Sequence, residues 1–309
     1  MSKIKVLIPV YNDWRSVFKL LENINSQVPS LNNDFSVIIV NDASTENRPE
    51  FSIDLNNLKS VQIINMKENR GHARCNASGL KYINEKEDFD YVIPMDGDGE
   101  DRPEEMSLLI EKIKDFPNSV ITANRIKRSE GTMFKFCYLA HKYLTFVFTG
   151  QTIKFGNFTC VPKFVVNEMV NEAATWSSFS GSLVKTAKDK KSIPSERGVR
   201  YFGLTKMSFV KLLKHSLSII AVFKTTLLIR SVLFLITYLF LIIDNISIVT
   251  LIPVIGVIIM MLSVIVLSKR ENMKEFNSSL ENIESIDRIK WKRAKNSKQI
   301  HYKNVQKIS

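Results

Sequence analysis

Apolar positions in the first 125 residues follow two alternating rhythms. Short runs read as buried strands: Lys3-Ile-Lys-Val-Leu-Ile-Pro9, Phe35-Ser-Val-Ile-Ile-Val40, Val61-Gln-Ile-Ile64, Tyr91-Val-Ile-Pro-Met95 and Ser119-Val-Ile-Thr-Ala123. Between them apolar residues recur at helical spacing. Val17, Leu20, Leu21 and Ile24 mark one helix, Leu80 and Ile83 a second ending near Glu85, and residues 103–115 a third. Strands and helices alternating at this spacing predict right-handed crossovers and a mostly parallel α/β sheet covered on both faces. Polar clusters follow the strands directly, at the carboxyl edge where such sheets bind ligands.

The rhythm breaks after residue 125. Residues 133–148 are aromatic-rich with Lys135, His141 and Lys142, which suits either a helix on a membrane surface or an ordinary core helix. Gly156-Asn-Phe-Thr159 and Trp176-Ser-Ser-Phe-Ser-Gly181 read as ligand-facing loops or plain turns. Residues 206–225 mix Lys206, Lys211, Lys214 and Lys224 with Phe209, Leu212, Leu213, Leu217 and Ile220, the pattern of an interfacial amphipathic helix. Residues 226–243 then hold a single charge, Arg230, and residues 246–267 hold none. Each run can cross the roughly 30 Å hydrocarbon core at about 1.5 Å per residue. Only Asp244-Asn245 lies between them, so a transmembrane hairpin is expected. The predicted organisation is a catalytic domain over 1–205, an interfacial helix over 206–225, the hairpin over 226–267 and a basic tail over 268–309.

Charge supports this division. The formal net charge is +12, yet eleven Lys/Arg against five Asp/Glu fall in residues 269–309. An excess beside membrane segments suits anionic headgroups or a disordered solvated end, and it argues against a nucleic-acid partner. Basic segments flank both outer ends of the hairpin and its tip has none. The positive-inside rule therefore puts the α/β domain and both termini on the cytoplasmic side of the inner membrane. Three cysteines (Cys75, Cys137, Cys160) and four histidines (His72, His141, His215, His301) show neither paired nor metal-like spacing, which fits a reducing compartment. The first strand starts at Lys3, so no leader peptide is expected. Two spans are few enough to leave a homo-oligomer open.

The chemistry concentrates in Met95-Asp-Gly-Asp-Gly-Glu-Asp-Arg-Pro-Glu104. Asp96, Asp98, Glu100 and Asp101 stand between a strand and a helix whose first turn suits Pro103, Glu104 and Glu105. Carboxylates this dense repel one another unless a cation holds them, and their oxygens suit Mg²⁺ or Mn²⁺, which also bind substrate phosphates.

Taken together, these motifs resemble glycosyltransferase family 2, in particular the branch that loads a sugar onto polyprenyl phosphate, of the dolichol-phosphate mannosyltransferase type. The resemblance implies a GT-A, Rossmann-like nucleotide-sugar domain. Pro9-Val-Tyr-Asn12 is similar to the family's nucleobase motif, which implies base contacts from Pro9, Tyr11 and Asn12. Asp42, in Asn41-Asp-Ala-Ser44, looks like the second-strand acid that holds base or ribose. Asn69-Arg-Gly71 is similar to the motif beside the nucleotide. Asp96-Gly97-Asp98 resembles the Asp-x-Asp metal site, with Glu100 where glutamine is usual and Arg102 where a proline is usual. Arg125 matches an arginine near the phosphates. Arg200-Tyr-Phe-Gly-Leu-Thr-Lys206 is similar to Arg-x-x-Gly-x-Ser-Lys, which implies that Arg200 and Lys206 bind phosphates.

On that reading a divalent ion on Asp96, Asp98 and Glu100 neutralises the leaving diphosphate of a UDP- or GDP-sugar. Arg125 adds a fixed positive charge, Arg200 and Lys206 align an anionic acceptor, and direct displacement inverts the anomeric carbon. A lipid phosphate needs no general base, and beyond residue 150 only Glu168, Glu172 and Asp189 offer themselves, none in a recognisable setting. A hydroxyl acceptor on another lipid or glycan, and a non-catalytic nucleotide-binding membrane protein, remain as alternatives. A dinucleotide oxidoreductase falls away because no Gly-x-Gly-x-x-Gly follows the first strand.

Overall fold

The structure, a computed structural model, describes residues 1–50, 54–127, 142–203, 209–289 and 305–307. Its centre is four parallel strands: β1 (Lys3–Val10), β2 (Asp34–Asn41), β3 (Ser60–Met66) and β4 (Tyr91–Pro94), lying in the order β4-β1-β2-β3. All four carboxyl ends therefore share one rim, as the polar clusters predict. Two antiparallel neighbours widen the sheet beyond β4: β6 (Phe155–Pro162) pairs with it, and β5 (Val120–Lys127) pairs with β6. The edge strand β7 (Lys190–Glu196) runs parallel to β5.

Period-two alternation sends the strand side chains into two cores. On one face Ile4, Val6 and Ile8 of β1 and Phe35, Val37 and Ile39 of β2 meet α1 (Trp14–Leu31) and α3 (Met106–Asp115). On the other, Leu7, Ile38 and Val40 meet α2 (His72–Lys86), with α5 (Lys163–Val170) and α6 (Phe179–Thr186) beyond. Each fully buried Ile or Leu stabilises by roughly 1.5–3 kcal/mol, which is why the strands read as near-continuous apolar runs. Gly79 lets α2 sit close, since a Cβ there would fall 2.4 Å from Leu7 Cδ1. The helix expected from Pro103 begins as a 3-10 turn, Pro103–Glu105, before α3.

Of residues 133–148, only 142–148 are described; residues 142–149 form helix α4. Gly156-Asn-Phe-Thr159 is not a loop but part of β6. Trp176 is likewise no ligand-facing residue: it ends a short 3-10 turn and is fully buried. Helix α7 (Phe209–Ala221) leads into α8 (Lys224–Ile242), and α9 (Ile248–Ser268) returns antiparallel to it. Both α8 and α9 are long and apolar enough to cross a membrane. They close around Phe148, Ile220, Leu227, Val257 and Val264, while Leu233, Phe240, Ile252 and Leu262 stay exposed. Arg230, the lone charge of the first span, donates to the carbonyls of Phe146 and Val147, at the negative end of α4.

Of the stretch expected to trail as a basic tail, the described residues 272–289 instead return to the domain. Helix α10 (Met273–Asn277) is capped by Asn272, whose Oδ1 accepts from the Lys274 and Glu275 amides. Phe276 stacks on Trp176 at 5.5 Å between centroids. Strand β8 (Ile283–Ile289) then pairs antiparallel with β3, and β9 (Val305–Lys307) with β8. The physical reason is that β3 would otherwise be an exposed sheet edge, with unpaired N–H and C=O groups beside a large apolar core.

Candidate active site

The site is assembled on the shared rim. At the end of β1, Tyr11 is exposed and Asn12 adopts a left-handed φ of 49°. Asn12 tolerates this because its side chain closes a loop: Oδ1 accepts from the Thr45 and Glu46 amides, and its own N–H donates to Ser44 Oγ. Pro9 lies beneath, where a Cβ on Gly97 would come 3.3 Å from its carbonyl oxygen and 2.8 Å from Val17. Close approach thus requires a glycine at position 97.

Asp42 is almost fully buried, and both its oxygens accept backbone N–H groups, from Arg70 (2.9 Å) and Gly71 (2.8 Å). Burial pushes its carboxyl up, against the pull of those two amides. The residue therefore locks β2 to the loop before α2. Asn69 is exposed at the head of that loop, and Gly71 turns it with φ 91°.

The acidic turn after β4 is held by its own side chains. Asp101, buried, accepts the Asp96 amide at 2.9 Å, and Arg125 reaches it at 3.7 Å. Asp98 accepts the Glu100 amide. A neighbouring segment, residues 197–201, lies along this turn as a strap. The Gly198 and Tyr201 amides donate to the carbonyls of Glu100 and Asp98, at 2.8 and 2.9 Å. Arg197 donates to Glu100, while Arg200 bridges Asp98 and Asp13. The Tyr201 ring covers Gly99, whose φ of 92° and lack of a side chain make room for it.

These contacts sort the expected residues. Asp96, Asp98, Arg125 and Arg200 come together. Glu100 pairs with Arg197 of the strap, as Asp98 pairs with Arg200. Lys206 lies outside the described residues. Two neighbours were not among the expected site residues: Asn157 Nδ2 donates to Asp96 Oδ1 at 2.8 Å, and His72 Nε2 lies 3.4 Å from the same oxygen. The Gly156-Asn-Phe-Thr159 pattern flagged the first, but nothing in the histidine spacing flagged the second. Burial first, then the charge of Asp96, push Asp98 up to about 6, despite Arg200. Burial and Asp96 push Asp101 up still further. Of the carboxylates considered as general bases, Glu168 lies on α5, Glu172 pairs with Lys185, and Asp189 precedes β7. Of these, Asp189 lies at the opposite rim, where β7 begins.

A nucleotide-diphosphosugar transferase sheet with an acidic turn at its carboxyl rim defines a class, the GT-A glycosyltransferases. Residues 5–167 match the family described as "Glycosyl transferase family 2", and the chain belongs to that family. Among solved structures it resembles glucosyl-3-phosphoglycerate synthase from Mycobacterium tuberculosis in complex with Mn²⁺, UDP and glucosyl-3-phosphoglycerate. That likeness has 12% identity and a TM-score of 0.51, over 73% of this chain and 80% of that one. It also resembles S. aureus TarS 1–349, at 13% identity and TM-score 0.47 over 90% and 91% of the two chains. The protein is a glycosyltransferase.

Proposed function

We propose that the protein transfers a sugar, with inversion, from a UDP- or GDP-sugar to a polyprenyl-phosphate lipid at the cytoplasmic face of a membrane. One observation carries this reading: the strap against the acidic turn, residues 197–201, is followed within a few residues by α7 and the apolar hairpin. The site and a membrane-seated acceptor would then share one short stretch of chain. The absence of a positioned base among Glu168, Glu172 and Asp189 agrees with an acceptor already ionised at neutral pH.

The donor set of the turn, two carboxylates two residues apart, fits Mg²⁺ or Mn²⁺, which keep waters and accept substrate phosphate oxygens. Structures of the mycobacterial synthase include Mn²⁺ with UDP-glucose. Asp96 and Asp98 would hold the ion, which when bound neutralises charge developing on the leaving diphosphate. Glu100 would act indirectly, by keeping Arg197 and the strap in place. Arg125 would face the donor phosphates, and Arg200 and Lys206 the acceptor phosphate. Pro9, Tyr11 and Asn12 would form the base site, with Asn69 and Gly71 beside it and Asp42 supporting both through its backbone contacts.

The decisive experiment supplies membranes containing the protein with labelled UDP- and GDP-sugars, polyprenyl phosphate and Mg²⁺ or Mn²⁺. Label is expected in an organic-extractable, mild-acid-labile lipid. Metal-dependent nucleotide release without such a lipid would move the acceptor to a hydroxyl on another lipid or a glycan.

Metal affinity should also depend on pH in a definite direction. Asp98 is raised to about 6, so below that pH an entering ion must displace a proton. Apparent Mn²⁺ affinity should fall by up to about tenfold per pH unit below 6 and level off above about 7. Manganese EPR titrations between pH 5 and 8 read this directly, and a flat profile would contradict it.

A further inference from the structure

We propose that Asp287, on the strand that returns after the membrane hairpin, is a positioning residue for the nucleobase loop. The inference rests on the base site proposed above. Its Oδ2 accepts from Arg48 Nη1 at 2.6 Å and from Asn65 Nδ2 at 3.2 Å. From there a single file of hydrogen bonds runs to the end of β1. Asn65 Oδ1 accepts from Asn41 Nδ2 (3.0 Å), Asn41 Oδ1 from the Ser44 amide (3.0 Å), and Ser44 Oγ from the Asn12 amide (3.0 Å).

The file has a polarity. An amide side chain has distinguishable donor and acceptor ends, whereas an ionised carboxylate only accepts. Asp287, with Ser285 Oγ of the same strand accepting from the same Nδ2 at 3.0 Å, therefore draws the Asn65 amide group toward β8. That turns the Asn65 oxygen toward Asn41, and the Asn41 oxygen toward the loop carrying Ser44, Thr45 and Glu46. The same carboxylate fixes Arg48, whose guanidinium lies 5.8 Å over the Trp14 ring, just beyond Asn12 and Asp13. Both flanks of the loop thus refer to one carboxylate on the far side of the membrane segments.

A strand needed only to cover the β3 edge would do better with apolar residues here. The Asp287 and Arg48 side chains are only 15% and 24% exposed, and a buried ion pair is a poor source of stability compared with packed hydrocarbon. Its use here is orientation.

The test uses the full chain in detergent, with UDP and GDP, each with Mn²⁺, as calorimetric probes. Asp287→Asn, which can offer either a donor or an acceptor, is expected to weaken nucleotide binding about tenfold, while Asp287→Glu retains most of it. Ile283→Ala, in the same strand but outside the file, should lower the melting temperature and leave nucleotide affinity within twofold. Unchanged affinity in Asp287→Asn overturns the proposal, as does a loss in Ile283→Ala that matches it. A wild-type protein that binds neither nucleotide removes the proposed base site, and this inference with it.

Discussion

Replacing Asp98 by asparagine is expected to lower the transfer rate by about 10³-fold or more while leaving the fold intact. The size follows from what the side chain does. Under the proposed reading it is one of two carboxylates on the ion that meets the leaving diphosphate, and such preorganised charge supplies the largest single share of many rate enhancements. The substitution keeps the shape of the group and its capacity to accept the Glu100 amide. It removes the charge that binds metal and pairs with Arg200. Arg200 would still hold Asp13 at 2.8 Å, so the strap should stay closed. Initial rates with the identified donor at saturating Mn²⁺, alongside melting curves, separate the two effects. A variant within tenfold of wild type, correctly folded, would falsify the assignment of Asp98.

The second large effect concerns stability. Trp176→Ala should destabilise the catalytic domain by about 3–5 kcal/mol, the usual cost of emptying a large aromatic site. Trp176 is fully buried, stacks on Phe276, and donates its indole N–H to Glu275 at 2.8 Å. Its loss would open a cavity at the seam where the returning chain docks. The melting temperature in detergent should fall by roughly 10 °C, taking about 2–4 °C per kcal/mol for a domain of this size. Trp176→Phe keeps a ring to stack on Phe276 but loses part of the ring volume and the hydrogen bond to the Glu275 carboxylate, so a smaller loss of about 2 kcal/mol is expected. Equal shifts for the two variants would mean that packing against Phe276 contributes little.

Much of this was legible in the sequence, for a physical reason. Strands buried on both faces must be apolar along their length, so β1 to β4 announce themselves, and the polar residues that end them mark the rim. The helices of the hairpin are visible for the same reason. The returning segment was not legible. β8 reads Ile-Glu-Ser-Ile-Asp-Arg-Ile, more than half of it polar, and it follows an apolar hairpin in a stretch with an excess of basic residues. Its partner β3 lies more than 200 residues earlier, beyond any local signal. The roles of Asp42 and Glu100 were hidden differently. Sequence marks an acid at a strand end, but it does not say whether the backbone or an arginine takes up its oxygens. His72 and Asn157 approach Asp96 only because α2 packs over β1, the neighbour of β4 on one side, and β6 pairs with β4 on the other.

The hairpin leaves the catalytic domain by one stretch of chain, after residue 203, and comes back by another, residues 269–272. A globular head on a single stalk can tumble about it, and its active site then samples the bilayer over a wide cone. A head tied at two points has lost that swivel. With the hairpin seated in a bilayer as proposed, its remaining motion would be a rocking about the line joining the two ties, and the carboxyl rim of the sheet would keep a nearly constant tilt and height. For the lipid-phosphate acceptor proposed above, which would diffuse in two dimensions, the encounter would then be a matter of lateral arrival alone.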